Sequence, residues 1–279
     1  MSRGLRAVAG VTAAAGVLAL TVGAGGCATD GRREEQLTEG GERALTVFAA
    51  SSLGTAFQQL AAAFEATHPG VTVRINAAGS SDLVAQAAAG APADVLATAD
   101  TTTMARASGL GLTSTEPHAF ATNTMTIVTP PGNPAAVTSL ADLAQTSRVT
   151  TVLCAPQVPC GAAAVRVEQA SGVSITPVSE EQSAAAVLGK VTAAEADAGI
   201  VYVTDARQAG PRVAEVPIPP EVNATNTYPI EGTGLRQYAI RVDAKGRLVI
   251  DFNVDPKTTT TVVLASTTTK PTATTTTTK

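Results

Sequence analysis

The sequence predicts an α/β protein built from two βα lobes. Short apolar runs alternate with helix-patterned runs in two successive series, and such alternation is typical of parallel sheets covered by helices. The chain is also rich in alanine, which favours helices that pack closely on strands. Because there are two series, we expect two lobes, joined near Thr122 and again near Tyr228.

The first series begins at Ala44. Its predicted strands are residues 44–50, 71–77 and 94–97, and its predicted helices are residues 55–66, 82–89 and 101–108. Asp100 precedes three threonines and is a suitable N-cap for the third helix. The dipeptides Pro69-Gly70 and Ala91-Pro92 mark turns between elements.

The second series begins at Thr124. Its predicted elements are strands at 124–129, 149–154 and 199–203 and helices at 140–144, 162–170 and 183–194. Two strand-like segments follow at 238–242 and 247–254. The threonine-rich end contains few large apolar residues, so we predict a disordered tail over residues 256–279.

The N-terminal segment has the pattern of an export signal. Arg3 and Arg6 precede an apolar stretch that is interrupted by glycine and threonine, which suits a signal core better than a membrane span. The small residues before Cys27 resemble a bacterial lipobox, although Ala24 stands where Leu or Val is commoner. The resemblance implies a signal peptide at 1–26, lipidation of Cys27 and a polar tether at 27–43. Ordinary secretion and an uncleaved anchor are the alternatives.

Two further cysteines, Cys154 and Cys160, are separated by five residues that include two prolines. In an exported chain the default interpretation of such a pair is a disulfide. A metal site is the competing interpretation, but the chain has only His68 and His118 as imidazole ligands, and neither has ligand spacing from the cysteines. We therefore predict a structural disulfide and no metal site.

Composition argues against several classes of partner. The formal net charge is −4, charged residues make up 15% of the chain, and no basic stripe is present, so nucleic acid is not an expected partner. Tryptophan is absent and aromatic residues make up only 3%, which leaves few side chains for stacking on sugars or bases.

A candidate anion site lies where the first predicted strand meets the first predicted helix. Ser51 and Ser52 occupy this junction. The first N–H groups of a helix lack intrahelical partners, and the helix dipole adds about half a positive charge there. A serine at this place can also serve only as a helix cap. The interpretation as an anion site therefore depends on further evidence from the rest of the sequence.

Five segments in order resemble the periplasmic molybdate-binding proteins of ABC transporters. They are residues 45–53 (LTVFAASSL), 78–86 (AGSSDLVAQ), 90–96 (GAPADVL), 158–161 (VPCG) and 199–205 (GIVYVTD). The resemblance covers about residues 45–230, and the cysteine pair is similar to an actinobacterial variant. It implies a type II periplasmic-binding-protein fold, whose two hinged βα lobes close an interlobe cleft on molybdate or tungstate for a membrane permease.

The resemblance also implies which residues bind the oxyanion. They are Ser52, Ser80, Cys160, Ala184 and Tyr202. The two serines correspond to hydroxyl and amide donors at helix starts, with Ser51 and Ser81 as the alternatives if the register shifts by one. In the second lobe, the cysteine and the alanine correspond to backbone N–H donors and the tyrosine to a phenol donor.

These donors carry no formal charge, so a dianion would be held by aligned amide, hydroxyl and phenol dipoles. A cage of donors rejects a protonated oxyanion such as hydrogen phosphate, because the O–H of that anion finds no acceptor. Sulfate is the closer competitor, since it is also a fully deprotonated dianion and differs mainly in being smaller.

Other interpretations remain open at this stage. The two serines could be plain caps, Tyr202 a core aromatic and Asp94 a structural turn partner. An enzyme is not expected, because no histidine, lysine or Gly-x-Ser-x-Gly elbow accompanies the serines. A ferric site would need paired tyrosines, and no consecutive pair exists. The remaining alternatives are a sulfate, thiosulfate or phosphate receptor, and a surface lipoprotein of the same fold without a transport role.

The predicted lobe boundaries follow from the two series and the resemblance. Lobe 1 comprises residues 44–122 and about 223–255, lobe 2 comprises residues 123–222, and we expect a monomer. The family ends in an amphipathic helix that this chain lacks. A hairpin over residues 235–254 in its place is one interpretation, and an altered reading frame or an artificial sequence is another.

Overall fold

The computed structural model describes residues 43–114, 116–233, 238–242, 248–255, 258–264 and 274–277. These residues belong to one compact unit. The predicted signal peptide, Cys27 and the tether up to residue 42 lie outside the described residues. Within the described part of the chain, no helix is long and apolar enough to cross a membrane.

The first predicted series is present with small shifts at its ends. It consists of β1 (Arg43–Ala50), a 3₁₀ turn (Ser51–Leu53), α1 (Gly54–Thr67), β2 (Val71–Ala78), α2 (Ser80–Ala88), β3 (Val95–Ala97) and α3 (Thr101–Gly109). Strand β1 pairs in parallel with β2 and with β3. Asp100 caps α3 as predicted, because its Oδ1 accepts a hydrogen bond from the Thr103 N–H at 2.8 Å.

The second series contains more elements than the sequence predicted. It consists of β4 (His118–Thr129), α4 (Leu140–Leu143), β5 (Thr151–Cys154), α5 (Pro159–Ser171), β6 (Ser179–Glu181), α6 (Ala184–Thr192), β7 (Ala198–Tyr202), α7 (Val203–Ala209), a second 3₁₀ turn (Gly210–Arg212), β8 (Ala214–Pro217) and β9 (Thr225–Gly232). The sequence did not predict β6, α7, β8 and β9. These elements are short or, in β9, interrupted by Pro229, so their periodicity is weak.

One nine-stranded sheet connects both series. Its order is β2-β1-β3-β9-β4-β7-β5-β6, with β8 paired to β4. Strand β4 is the shared element, because residues 118–124 pair with β9 and residues 125–129 pair with β7 and β8, all antiparallel. The chain therefore passes between the two halves of the sheet in β4 and β9. This mixed α/β architecture confirms the predicted fold class.

Buried apolar side chains stabilise both halves of the sheet. Leu96, Ile127, Ile200 and Ile230 are at most 1% exposed and lie on four different strands. Burying a side chain of this size contributes about 1.5 to 3 kcal/mol. A smaller cluster that includes Phe48 lies beneath α2 and α3. The helices are thereby held at fixed positions on the sheet, which sets where their first turns begin.

The predicted disulfide is present. Cys154 at the end of β5 is bonded to Cys160 in the first turn of α5, with the two Cα atoms 5.7 Å apart. The loop between them is so tight that a Cβ at position 161 would lie 1.9 Å from the carbonyl oxygen of Ala155. Only glycine fits at this close approach, so Gly161 and the disulfide together fix the start of α5.

The C-terminal region corrects one prediction. Strands β10 (Tyr238–Val242), β11 (Leu248–Asp255), β12 (Thr258–Leu264) and β13 (Thr274–Thr277) form a separate antiparallel sheet in that order. The pairing of β10 with β11 agrees with the hairpin interpretation. The prediction of a disordered tail over 256–279 is wrong for 258–264 and 274–277; the rest of that range lies outside the described residues. Threonine is β-branched and favours strands when a paired neighbour is available, which composition alone did not reveal.

Candidate functional site

A small cavity lies between the two halves of the sheet. It is lined by residues that end or follow strands β1, β2, β3, β6 and β7 or that begin helices. The lining residues are Ala50, Ser51, Ser52, Gly79, Ser80, Ala99, Pro159, Cys160, Gln182, Ser183, Ala184 and Tyr202. All five residues that the sequence predicted for oxyanion binding are among them. The structure therefore brings together positions that are up to 150 residues apart in the chain, from Ser52 to Tyr202.

Four helical segments begin at this cavity. They start at Ser51, Ser80, Pro159 and Ala184, two in each half of the sheet. Parallel strands end at the same edge of a sheet, so the helices that follow them also begin at that edge. Each start presents N–H groups without intrahelical partners and a partial positive charge. The convergence of four such starts makes the cavity suited to an anion.

Ser80 presents its hydroxyl at the start of α2. The side chain is 3% exposed, and its Oγ accepts a hydrogen bond from the Ala99 N–H at 3.0 Å. Ser80 lines the cavity, whereas the alternative residue Ser81 does not. The backbone is close to the opposite half here, because a Cβ at Gly79 would lie 2.5 Å from the carbonyl oxygen of Gln182.

Ser52 presents its hydroxyl in the 3₁₀ turn before α1. Its Oγ lies 3.0 Å from the hydroxyl of Tyr228 on β9. That phenol oxygen accepts a hydrogen bond from Asn123 Nδ2 on β4 at 3.3 Å. Ser51 also lines the cavity, so the structure places both alternatives of the predicted register at the site. Ser52 additionally borders a larger neighbouring cavity between α1 and α7.

Cys160 and Ala184 bring backbone rather than side-chain donors. At the start of α5 the Ala162 N–H donates a hydrogen bond to the Val158 carbonyl oxygen at 2.9 Å. Cys160 comes before this bond, in the first helical turn, where N–H groups have no intrahelical partner. In α6, Ser183 is the N-cap and accepts a hydrogen bond from the Ala186 N–H at 3.2 Å. The N–H of Ala184 likewise precedes the first intrahelical bond.

Tyr202 lies at the end of β7 and is 2% exposed. Its hydroxyl oxygen accepts a hydrogen bond from Asn226 Nδ2 at 2.8 Å. Burial raises the pKa of Tyr202 well above its usual range, with the neighbouring Tyr228 adding to the effect, and burial also raises the pKa of Tyr228. Both phenols are therefore neutral and retain a proton to donate.

One ionisable side chain lies directly beneath Tyr202. Asp205 in the first turn of α7 is 3% exposed, and its Oδ2 accepts a hydrogen bond from the Tyr202 N–H at 3.3 Å. Burial raises the pKa of Asp205 to about 7, with the hydrogen bond from Tyr202 N–H opposing part of this rise. The carboxyl group is thus half protonated near neutral pH.

The sequence missed the residues that lie behind the cavity. Asn123, Asn226 and Tyr228 contact the predicted donors from the crossing strands β4 and β9. No spacing or motif marks them, because their role depends on strands that pair far apart in sequence. Asp94 has the structural role that was expected, since its Oδ2 accepts a hydrogen bond from the Thr46 N–H at 2.7 Å.

The chemistry of the cavity is that of a neutral cage of donors. None of the twelve lining residues carries a formal charge, and neither histidine is among them. Across the residues that the structure describes, no group of three or more His, Cys, Asp or Glu side chains is arranged to hold a metal ion. Such a cage can bind an anion through aligned dipoles.

An α/β fold with an anion-binding cavity between two sheet halves is characteristic of solute-binding proteins. The chain belongs to the family of bacterial extracellular solute-binding proteins, whose family model matches residues 45–275. The role of this family is binding. Membership places the chain outside the cytoplasm, in agreement with the predicted export.

Individual relatives agree with this assignment. The molybdate-binding protein ModA of Mycobacterium bovis is 43% identical over 219 residues, which cover 76% of this chain and 84% of the relative. The ModA of Mycobacterium tuberculosis H37Rv has the same identity and coverage.

Solved structures confirm the fold class at lower identity. The periplasmic molybdate-binding protein of Azotobacter vinelandii superposes with a TM-score of 0.59 at 21% identity, covering 68% of this chain and 86% of that protein. The sulfate-binding protein SubI of Mycobacterium tuberculosis H37Rv gives a TM-score of 0.61 at 17% identity, covering 70% and 77%. The type II periplasmic-binding-protein fold is therefore shared with receptors for different oxyanions.

Proposed function

We propose that this protein is an extracytoplasmic receptor that captures molybdate or tungstate for import by an ABC transporter. The observation that carries the proposal is the convergence of four helix starts and five hydroxyl-bearing side chains on one cavity whose lining has no charged side chain. The mycobacterial relatives at 43% identity are molybdate-binding proteins by name, which supports the choice of anion. Catalysis is not part of the proposal.

The anion would be held by donors from both halves of the sheet. The proposed donors are the hydroxyl groups of Ser52, Ser80 and Tyr202 and the backbone N–H groups of Cys160 and Ala184. A hydrogen bond to a charged group contributes about 1.5 to 3 kcal/mol, so loss of one donor should be measurable while the remaining donors still bind. Because the donors lie on opposite sides, a bound anion stabilises the closed arrangement, which a membrane permease can recognise.

The proposal includes attachment to the outer face of the cell membrane. The N-terminal pattern supports cleavage after residue 26, lipidation of Cys27 and a tether at 27–43. The folded part would then consist of lobe 1, residues 44–122 and about 223–255, and lobe 2, residues 123–222, acting as a monomer. Metabolic labelling with a palmitate analogue tests the anchor, because Cys27→Ala should abolish incorporation of the label.

Calorimetric titration of the full-length protein in detergent tests the ligand. Molybdate and tungstate should bind tightly, sulfate weakly and phosphate not at all, and Ser52→Ala should weaken molybdate binding. If the folded wild-type protein gives no heat with molybdate or tungstate, the proposed function is wrong. Tight binding of sulfate in preference to molybdate would reassign the receptor to the smaller dianion.

A further inference from the structure

Gly79 brings the two halves of the sheet into direct contact beside the cavity. It is the residue before α2, in the half that contains β1, β2 and β3. A Cβ added at this position would lie 2.5 Å from the carbonyl oxygen of Gln182, which shortly precedes α6 in the opposite half. Both residues line the cavity. The close approach is therefore a contact across the cleft and not within one half.

The local backbone at Gly79 does not require glycine. Its torsion angles are φ −59° and ψ 134°, which lie in the region that most residues adopt freely. The residue is the N-cap of α2, a position that favours serine, aspartate or asparagine over glycine, and no side chain caps this helix. What excludes a side chain at position 79 is therefore the opposite half of the sheet.

The crowding at Gly79 differs from that at two other glycines. A Cβ at Gly161 would meet the backbone of Ala155, and one at Gly199 would meet the side chain of Val187. These obstructing atoms belong to the same half as the glycine, so a side chain there would disturb the fold whether the cleft is open or closed. At Gly79 the obstructing carbonyl is present only when the two halves are together.

The contact links two of the proposed donors. Gly79 directly precedes Ser80, and Gln182 lies two residues before Ala184, so their separation sets how far the Ser80 hydroxyl lies from the Ala184 N–H. To bring a Cβ at position 79 to the ordinary contact distance of 3.4 Å, the two segments would have to separate by about 0.9 Å. A hydrogen bond of about 2.9 Å that is lengthened by this amount is lost.

We propose that Gly79 is a positioning residue whose missing side chain lets the two halves close far enough for donors from both to reach one anion. The inference rests on the proposed function and identifies the place where closure stops. In the closed arrangement the Gly79 backbone rests against the Gln182 carbonyl, and the anion bonds to helix starts on both sides. A side chain at position 79 holds the cleft partly open, so that the anion bonds fully to one side only.

The test replaces Gly79 by alanine and by valine in the full-length protein in detergent. Gly79→Ala should lower molybdate affinity about 10- to 100-fold, the value of one lost hydrogen bond to a charged group. Gly79→Val should lower it further, because the larger side chain holds the halves further apart. The loss should appear mainly as faster dissociation, since the anion still enters an open cleft. Calorimetry measures the affinity, and a chase of radiolabelled molybdate with unlabelled molybdate measures the dissociation rate.

Two further measurements separate closure from a role in the fold. The Tm of Gly79→Ala without molybdate should equal that of wild type, because the backbone torsion angles suit alanine and the obstruction lies in the other half. At saturating molybdate, small-angle X-ray scattering should show a smaller decrease in radius of gyration for Gly79→Ala than for wild type. A glycine that served only the fold would lower the Tm of the ligand-free protein and leave this decrease unchanged.

The matched control is Gly189→Ala. Gly189 lies in α6, and a Cβ there would meet no atom within 4 Å, so this variant should bind molybdate and become compact as wild type does. Asp82→Ala provides a second control, because Asp82 Oδ2 would lie 3.1 Å from a Cβ at position 79, although it ends a flexible side chain. Gly79→Ala should weaken binding by the same factor with Asp82 present or replaced. Normal binding in the double variant would mean that the alanine acts through the carboxylate, which would overturn the inference.

The outcomes distinguish this inference from the proposed function. If folded wild type binds molybdate and Gly79→Ala binds it equally tightly, the positioning role is wrong and the receptor stands. The same conclusion follows if Gly79→Ala does not fold, as judged by circular dichroism, because the glycine then serves the fold, or if it becomes as compact as wild type on binding. If folded wild type binds neither molybdate nor tungstate, the receptor itself is wrong and the inference falls with it.

Discussion

The two sides of the cavity supply donors in different ways. On the side formed by β1, β2 and β3 the proposed donors are the side-chain hydroxyls of Ser52 and Ser80. On the side formed by β5, β6 and β7 they are the backbone N–H groups of Cys160 and Ala184 together with the Tyr202 phenol. A hydroxyl donor depends on the residue type, but a backbone donor depends only on where a helix begins. The second side should therefore tolerate side-chain changes that would damage the first.

The two sides are also stabilised differently. The start of α5 is fixed covalently by the disulfide between Cys154 and Cys160. The serines have no such constraint: Ser80 Oγ accepts a hydrogen bond from the Ala99 N–H, and Ser52 Oγ forms a hydrogen bond with the Tyr228 hydroxyl. Reducing agents and changes in pH should consequently act on the second side, and hydroxyl deletions on the first. Four predictions test this contrast, in order of decreasing effect on affinity.

Removing a backbone donor should have the largest effect. Ala184 is the first residue of α6, and Ser183 before it is extended, with φ −157° and ψ 157°, so Ala184→Pro fits the backbone. It deletes the N–H and places the proline ring at the cavity, and we expect a loss of molybdate affinity of at least about 100-fold with little change in Tm. Calorimetry and thermal unfolding check this.

The matched control for this prediction is Ala184→Ser. It keeps the N–H and should bind molybdate almost as wild type does. If the serine variant loses as much affinity as the proline variant, the Ala184 side chain rather than its amide matters, and the contrast between the two sides fails.

Deleting a hydroxyl on the first side should have the next largest effect. Ser80→Ala removes a donor and leaves the Ala99 N–H without its acceptor at 3.0 Å. We expect molybdate affinity to fall about 10- to 100-fold and the free energy of unfolding to fall by about 1 to 3 kcal/mol. Ser81→Ala is the control, because Ser81 does not line the cavity; equal losses in both variants would contradict the assigned register.

Breaking the disulfide should affect stability more than affinity. The paired change Cys154→Ser and Cys160→Ser opens a small loop and should lower the free energy of unfolding by about 2 kcal/mol. The Cys160 N–H remains present, so molybdate affinity should fall only a few-fold through greater freedom of the α5 start. Denaturant unfolding and calorimetry measure the two effects. A complete loss of binding in a folded variant would mean that the Cys160 N–H reaches its binding position only when the disulfide is present.

The smallest effect concerns pH. The pKa of Asp205 rises from 3.8 to about 7 in the folded protein, so between these values the folded state holds a proton that the unfolded chain releases. Stability should therefore decrease as pH rises from about 4 to 7, and above pH 7 the carboxylate charge should weaken molybdate binding a few-fold. Asp205→Asn should flatten both profiles.

The control for the pH prediction is Asp142→Asn. Asp142 caps α4 and does not line the cavity, so this variant should retain the wild-type pH dependence of affinity. An unchanged pH profile of affinity in Asp205→Asn would show that the Asp205 charge does not reach the bound anion.

Local patterns predicted most of the fold. Alternating apolar strands and capped helices placed β1 to α3 within a few residues, because each element buries one apolar face and ends at a residue such as Asp100 that satisfies a free backbone group. Strands β8 and β9 escaped prediction, since an edge strand of four residues and a strand that contains Pro229 have little periodicity. The two threonine-rich strands β12 and β13 escaped for another reason, because threonine pairs into sheets only when a neighbouring strand is present.

The candidate site also has features that the sequence indicates and features that only the fold reveals. The sequence by itself indicated the proposed donors, mainly through the resemblance of five segments to molybdate-binding proteins. Only the serines at the first strand-to-helix junction also have a local physical cause, which is the free N–H groups of a helix start. Only the tertiary structure decided that four helix starts meet at one cavity and that Asn123, Asn226 and Tyr228 stand behind the hydroxyls. Asn123 lies on β4, and Asn226 and Tyr228 lie on β9, and the residues that pair between these two strands are more than 100 positions apart in the chain.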